Sequence, residues 1–204
     1  MKRLLGLVTI VAMWAAPGLT PALAASLSFT PTSQSVGIGQ PVTVQITVDG
    51  LGAGMAPSVG AFDLDVTFDP AVLLPTAVDF GLLLGDPDAL EALTSSSLSS
   101  GLIDLAEVSL LAPSDLDALQ PSSFTLATLS FISLAVGTSP LAFTQAFVDD
   151  AFAARIALDV TGGTVDVAAP PGGAVPVPAS LVLLGAAMAA WLVVTRRRAA
   201  SAAG

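Results

Sequence analysis

Two segments of the sequence alternate strictly between apolar and polar residues. In residues 41–48 every second position is Val or Ile, and in residues 60–68 Phe62, Leu64, Val66 and Phe68 alternate with small or polar residues. A period of two places all the apolar side chains on one face of a β-strand. Asp49-Gly50 favours a turn after the first strand, and Asp69-Pro70 ends the second because proline cannot continue a hydrogen-bonded ladder.

Other segments fit the same scheme. Five more short β-prone stretches, separated by Gly, Pro, Ser or Asp, lie at residues 102–111, 124–135, 141–147, 152–158 and 164–167. Two stretches favour helical turns instead: residues 86–93, with Asp86 as the N-cap and Pro87 at the first helical position, and residues 113–119. The serine-rich segments Ser95-Ser96-Ser97 and Ser99-Ser100-Gly101 are interpreted as a polar loop. The sequence therefore predicts an all-β sandwich of about eight or nine strands over residues 26–168.

Composition excludes several chemistries. The chain has no Cys and no His, so disulfides, thiol catalysis, a Ser-His-Asp triad and histidine-ligated zinc are all excluded. All sixteen acidic residues lie in residues 26–174, where Arg155 is the single basic residue, so this part has a formal charge of −15. Such a body repels nucleic acid and anionic lipid, and neither is an expected ligand.

The N-terminus has the three parts of a secretory signal peptide. Lys2 and Arg3 precede an apolar run at residues 4–16, and Ala22-Leu23-Ala24 supplies small residues before a cleavage point. We expect residues 1–25 to form the signal peptide, with cleavage after Ala24 or Ala25. A membrane anchor is the alternative, but the apolar run is shorter than the roughly 20 residues that a spanning helix needs.

The C-terminal part begins with a linker at residues 169–174, whose Pro and Gly residues favour neither helix nor strand. Residues 179–195 are uncharged and predict a transmembrane helix of about 25 Å. Three arginines follow directly, and the positive-inside rule places them and residues 200–204 in the cytoplasm. The acidic body is then expected on the outer side of the membrane. A simple tail anchor is compatible with these features.

The order of features at residues 175–199 resembles the PEP-CTERM sorting tail. The residues that carry the resemblance are Val175, Pro176, Val177, Pro178, Ala179, Arg196, Arg197 and Arg198. Val177 stands where the usual motif has glutamate. The resemblance implies recognition by an exosortase, a membrane-embedded enzyme of Gram-negative bacteria. It also implies passage through the inner membrane, followed by residence at the cell surface or in the extracellular matrix.

The body resembles a cohesin domain. The resemblance rests on residues 39–44, on residues 60–73 with their Asp69-Pro70 corner, and on the C-terminal segments 147–150 and 162–167. It implies a nine-stranded jelly-roll sandwich, related in fold to a class of carbohydrate-binding modules. The implied function is a non-catalytic interaction module, whose partner would be an unknown protein or an extracellular polysaccharide.

The acidic residues of the second strand are the candidate metal ligands. Asp63, Asp65 and Asp69 lie on its polar side, and carboxylate oxygens are the ligands that Ca²⁺ prefers. A flat strand offers few of the six to eight oxygens that Ca²⁺ needs, so a solvated acidic face is the alternative interpretation. No cofactor is otherwise expected.

Three functions remain open at this point. Besides a protein-interaction module, the sandwich could be a carbohydrate-binding or matrix-structural module, or an envelope hydrolase that uses a carboxylate pair. Both tryptophans, Trp14 and Trp191, lie in the terminal segments, and the nine phenylalanines are expected mostly in the core. An aromatic sugar-binding platform and catalysis are therefore both disfavoured, and we expect the protein not to be an enzyme.

Overall fold

The computed structural model describes residues 24–169, which form a two-sheet β-sandwich. The strands are β1 (Ala25–Thr30), β2 (Ser33–Gly37), β3 (Pro41–Asp49), β4 (Val59–Thr67), β5 (Leu73–Phe80), β6 (Ala92–Ser99), β7 (Leu102–Ser109), β8 (Ser123–Ser133), β9 (Gly137–Asp150), β10 (Leu158–Thr161) and β11 (Gly163–Ala168). A short 3₁₀ turn covers Pro87–Ala89, and one helix, α1, covers Pro113–Leu119. The predicted all-β sandwich is thus confirmed, with eleven strands in the described residues rather than eight or nine.

The strands divide into a five-stranded and a six-stranded sheet. The first has the order β10-β1-β3-β8-β5, and the second has the order β2-β11-β9-β4-β7-β6. Most pairs are antiparallel, and only β1 with β10 and β2 with β11 are parallel among these strands. The chain crosses between the sheets repeatedly, so the core is formed by strands that are distant from one another in the sequence.

Alternation decides which face of each strand is buried. In β3 the side chains of Val42, Val44, Ile46 and Val48 are at most 1% exposed, while the residues between them face solvent. In β4 Phe62, Leu64 and Val66 are buried in the same way. These aliphatic and aromatic side chains meet between the sheets, where removal of apolar surface from water supplies the main stabilisation.

Three aromatic pairs join the two sheets. Phe29 of β1 stacks on Phe143 of β9 with ring centroids 4.3 Å apart, and Phe62 of β4 lies 6.2 Å from Phe80 of β5. Phe68, directly after β4, meets Phe131 of β8 edge to face at 5.4 Å. Five phenylalanines are at most 7% exposed, which agrees with the expectation that most of them belong to the core.

Asp69-Pro70 ends β4, as the sequence predicts, and this corner carries the chain from one sheet to the other. The Asp69 carboxylate accepts a hydrogen bond from the Ala71 N–H at 2.8 Å, and its carbonyl accepts from Val72 and Leu73.

Both helical predictions also hold in part. Asp86 caps the 3₁₀ turn through the Asp88 N–H at 2.9 Å, and α1 begins at Pro113, although Ala112 precedes it without a side-chain cap.

Two local predictions are wrong. The serine run at residues 95–97 belongs to β6 rather than to a loop, because it pairs along its whole length with β7. Residues 152–157, predicted as part of a strand, form a turn and a connection. There the Asp150 carboxylate accepts hydrogen bonds from the N–H groups of Phe152 and Ala154, at 2.8 and 2.9 Å, and these hydrogen bonds hold the segment in a turn.

Candidate functional site

The outer face of β9, β4, β7 and β6 is the candidate site. Since Phe62, Leu64 and Val66 point into the core, Asp63 and Asp65 point outward from the same strand. Pairing places Asp63 between Ala106 of β7 and Phe147 of β9, and it places Asp65 between Asp104 and Gln145. The outward orientation that the sequence predicted for Asp63 and Asp65 is confirmed.

Exposed apolar side chains lie on the same face beside these carboxylates. Leu93 of β6 is 59% exposed and lies opposite Val108 of β7, which is 48% exposed and in turn opposite Ala61. Phe147 of β9 is 43% exposed. Leu93, Val108 and Ala61 thus form one apolar row across β6, β7 and β4, whereas Phe147 lies in the next row, directly opposite Asp63.

One cation lies at the corner of this face. Arg155 is the single basic residue in residues 24–169; it forms an ion pair with Asp149 and holds its guanidinium 4.0 Å from the centre of the Phe147 ring. The stacking covers one side of that ring. Asp63, Asp65 and Asp104 have no basic neighbour in the described ion pairs, so the rest of the face is negatively charged.

The outer face of the other sheet has a different character. Its central strands present mostly hydroxyl and amide side chains to solvent, including Ser28, Thr43, Gln45, Thr128 and Ser130, whereas exposed Leu74 and Asp79 lie on the edge strand β5. The two faces of one sandwich therefore offer different chemistry to a partner. Exposed apolar patches rimmed by polar residues are typical of interaction sites.

A cleft of about 160 Å³ adjoins the outer face of β4 and β7, where it is lined partly by Ala61, Val108 and Leu116. Two carboxylates also line this cleft. Asp149 is paired with Arg155, and Asp150 accepts from two loop N–H groups. Both groups thus stabilise the β9–β10 connection, and this arrangement does not resemble a pair of carboxyls facing each other across a substrate.

The three candidate calcium ligands are not all brought together. Asp63 and Asp65 share the outer face, whereas the Asp69 carboxylate accepts from Ala71 in the corner that follows the strand. Within residues 24–169 no three Asp, Glu, His or Cys side chains are grouped so as to hold a metal ion. Calcium binding stays a prediction from the sequence.

Two buried polar residues behind this sheet were not foreseen. Gln120, 1% exposed, accepts from the Val59 N–H at 2.6 Å and donates to the carbonyls of Val59 and Leu83 at 2.8 and 3.0 Å. It thereby fixes the start of β4.

Glu107 of β7 points inward with no exposed surface, and neither of its carboxylate oxygens has a hydrogen-bond partner. Burial raises its pKa from 4.5 to about 7.

The sorting-tail residues, Val175 to Ala179 and Arg196 to Arg198, lie outside the described residues, as does nearly all of the predicted signal peptide. Within the part of the chain that the structure describes, no helix has the length and apolar character needed to cross a membrane.

No protein-family model matches the chain, and no curated protein matches it. Several solved structures are similar to it. The sixth cohesin of scaffoldin B from Acetivibrio cellulolyticus, solved in complex with a dockerin, is 17% identical with a TM-score of 0.58, and the match covers 71% of this chain and 99% of that chain. A type II cohesin domain from the cellulosome of the same organism is 18% identical with a TM-score of 0.58, covering 70% and 95%.

A non-cellulosomal cohesin from the archaeon Archaeoglobus fulgidus is also similar, at 14% identity and a TM-score of 0.56, covering 71% of this chain and 91% of that chain. The expectation that the protein is not an enzyme agrees with these neighbours. Identities this low establish the fold alone, and residues 24–169 therefore have the fold of a cohesin domain.

Proposed function

We propose that this protein is a non-catalytic, cohesin-like interaction module that binds a protein partner through the outer face of β9, β4, β7 and β6. The observation that carries the proposal is the combination of exposed Leu93, Val108 and Phe147 with the carboxylates of that face. Apolar groups supply affinity, and the surrounding charges select the partner and its orientation.

The charges indicate what such a partner must carry. Asp63, Asp65 and Asp104 form no ion pair within the described residues, so a matching surface presents Lys or Arg around an apolar centre. A dockerin-like protein is one candidate, since cohesin neighbours were solved with dockerins. A fold does not determine a partner, and a different protein of the same surface chemistry satisfies the proposal equally.

Site-specific photo-crosslinking in the native host tests this face. A photoreactive amino acid at Ala106, at the centre of the face between Ser95 and Asp63, is expected to yield a discrete protein adduct. The same amino acid at Gln45, on the outer face of β3, is the matched control and should yield none. Asp65→Arg is expected to reduce the Ala106 adduct several-fold, because it reverses a charge beside the contact.

An adduct of equal yield at Gln45, or one that Asp65→Arg leaves unchanged, would contradict the proposal. The crosslink also separates the second candidate function, polysaccharide binding, which exposed Phe147 and Phe152 favour. A glycan partner would give no protein adduct at Ala106.

We further propose that the module is exported and that an exosortase recognises its tail at the inner membrane. The signal-peptide pattern of residues 1–25 and the sorting motif of residues 175–199 support this. Ala25 is the first residue of β1 and is 2% exposed, so signal cleavage after Ala24 would leave that strand complete. The mature module would then reside at the cell surface or in the extracellular matrix.

Intact-mass spectrometry of the protein from native envelope and culture supernatant tests export and sorting. We expect a species that lacks residues 1–24 and the segment after about Pro178. A protein that retains Arg196 to Arg198 and is found only in the inner membrane would contradict sorting and leave a simple tail anchor.

A further inference from the structure

The two ends of the sandwich differ in charge, although both expose large apolar side chains, such as Leu82, Leu90 and Phe152 at the end opposite the C-terminal exit. One end, called here the tail end, contains Gly37, Gly137 and Ala168, which are brought together by the pairing of β11 with β2 and β9. Ala168 is the last strand residue, so the chain leaves the sandwich for its C-terminal segment at this end. The β2–β3, β4–β5, β6–β7 and β8–β9 connections also lie here.

The turns of the tail end expose large aliphatic side chains. Ile38 is 45% exposed in the β2–β3 turn, and Leu134 and Val136 are 44% and 54% exposed in the β8–β9 turn. The two turns are adjacent, because the Gly39 N–H donates to the Ser133 carbonyl at 2.9 Å. A cavity of about 210 Å³ lined by Pro70, Leu74 and Leu98 lies at the same end.

Acidic residues are concentrated at the opposite end. Its loops and strand ends contain eight carboxylates: Asp49, Asp86, Asp88, Glu91, Asp115, Asp117, Asp149 and Asp150. The tail end has four: Asp69, Asp166, and Asp65 and Asp104, which lie as near to this end in β4 and β7 as Asp166 does in β11. Asp69 and Asp166 are hydrogen-bonded within the end, where their carboxylates accept from the Ala71 N–H and the Thr138 hydroxyl, at 2.8 and 2.6 Å. A lipid surface, with its anionic headgroups, would repel the acidic end and could be approached by the tail end.

The length of the connecting segment agrees with such an approach. Ten residues, 169–178, separate the sandwich from the uncharged stretch at residues 179–195, and they reach at most about 35 Å when fully extended. A sandwich tethered this closely at its less acidic end spends much of its time near the bilayer. Exposed aliphatic clusters rimmed by polar residues are typical of protein or membrane contact sites.

We propose that the tail end of the sandwich rests on the lipid surface, with Ile38, Leu134 and Val136 among the headgroups, while the C-terminal segment is anchored in the membrane. The docking face of β9, β4, β7 and β6 then stands perpendicular to the bilayer and open to a partner. The inference concerns the chain before its tail is processed and rests on the membrane anchoring that the sequence predicts for residues 179–195; its test separates anchoring from docking.

The absence of cysteine makes a site-specific test possible. The full chain is reconstituted into vesicles of phosphatidylcholine and anionic phosphatidylglycerol as Val136→Cys or Met55→Cys, each labelled with an environment-sensitive fluorophore. Met55 is 64% exposed in the β3–β4 loop of the opposite end and is the matched control. We expect the label at position 136 to shift to shorter wavelength and to be quenched by a lipid-borne quencher several-fold more than the label at position 55.

A second variant tests the aliphatic side chains themselves. The label is placed on Ala135→Cys, an exposed position. Adding Ile38→Asp and Val136→Asp to this variant is expected to reduce lipid quenching several-fold, while the chain still co-floats with the vesicles. Equal quenching at positions 136 and 55 in a chain that co-floats would overturn the docking and leave the anchor intact. A label at position 136 that is shielded but not quenched would indicate a protein contact and overturn the docking too. A chain that fails to co-float contradicts the anchor and the docking together.

Discussion

Glu107→Gln is expected to remove most of the pH dependence that one buried carboxyl gives to the free energy of unfolding. Glu107 alternates with Ile103 and Leu105 on the inner side of β7, where it has no exposed surface. Neither carboxylate oxygen has a hydrogen-bond partner, and Arg155 is already paired with Asp149. Nothing therefore compensates for the loss of hydration when this carboxyl ionises.

The sign follows from the direction of the pKa shift. Desolvation by burial raises the pKa of Glu107 from 4.5 to about 7 in the folded protein. The folded state therefore binds a proton that the unfolded state has released between these two values. The contribution of Glu107 to the free energy of unfolding is therefore fully present below its unfolded-state pKa, and it is lost as the pH rises through its folded-state pKa. The total loss is at most about 3 kcal/mol.

Urea unfolding at about pH 5 and about pH 8 measures this effect. The wild type should lose stability over this interval, and Glu107→Gln should lose much less because its amide does not ionise. Glu91→Gln is the matched control, since it removes the same charge from an exposed position. A wild-type pH dependence that persists unchanged in Glu107→Gln would show that the charge repulsion of the other acidic residues is the cause.

Gln120→Ala is expected to destabilise the fold by about 3 kcal/mol, because it leaves several buried groups without partners. The Gln120 side chain holds both backbone groups of Val59 and also the Leu83 carbonyl, within hydrogen-bond distances of 2.6 to 3.0 Å. It joins the segment after α1 to the start of β4, the strand that carries Asp63 and Asp65. Its loss is therefore expected to loosen one end of the docking face as well.

Equilibrium unfolding, with two comparison variants, separates the hydrogen bonds from packing. Gln120→Met keeps a side chain of similar length and should still lose about 2 kcal/mol if the hydrogen bonds are the cause. Leu119→Ala changes the neighbouring residue, which is 47% exposed, and should stay within about 0.5 kcal/mol of the wild type. A Gln120→Met variant as stable as the wild type would assign the effect to packing.

Several features of the sandwich could be predicted from local sequence because local rules decide them. The alternation in β3 and β4 follows from the pleat of a strand, and the corner at Asp69 follows from the carboxylate's own reach to a neighbouring N–H. The helix at Pro113 begins where proline already has a helical φ. Each of these depends on residues within a few positions of one another.

Other elements could not be predicted because distant partners decide them. The serine run of β6 has little strand propensity, and its conformation comes from its hydrogen bonds to β7. Residues 152–157 have β-prone composition but turn because the Asp150 carboxylate binds two of their N–H groups. In both cases tertiary hydrogen bonds override the local preference of the chain.

The sequence alone determined that residues 26–168 form a β-sandwich, and it determined which side of β4 carries its carboxylates, because both follow from a period of two. Only the tertiary structure decided that Leu93, Val108 and Phe147 join those carboxylates on one face. It also decided that Glu107 is buried without a partner and that the acidic loops gather at the end opposite Ala168. Strand order and register bring these residues together, and both depend on packing between segments far apart in the chain.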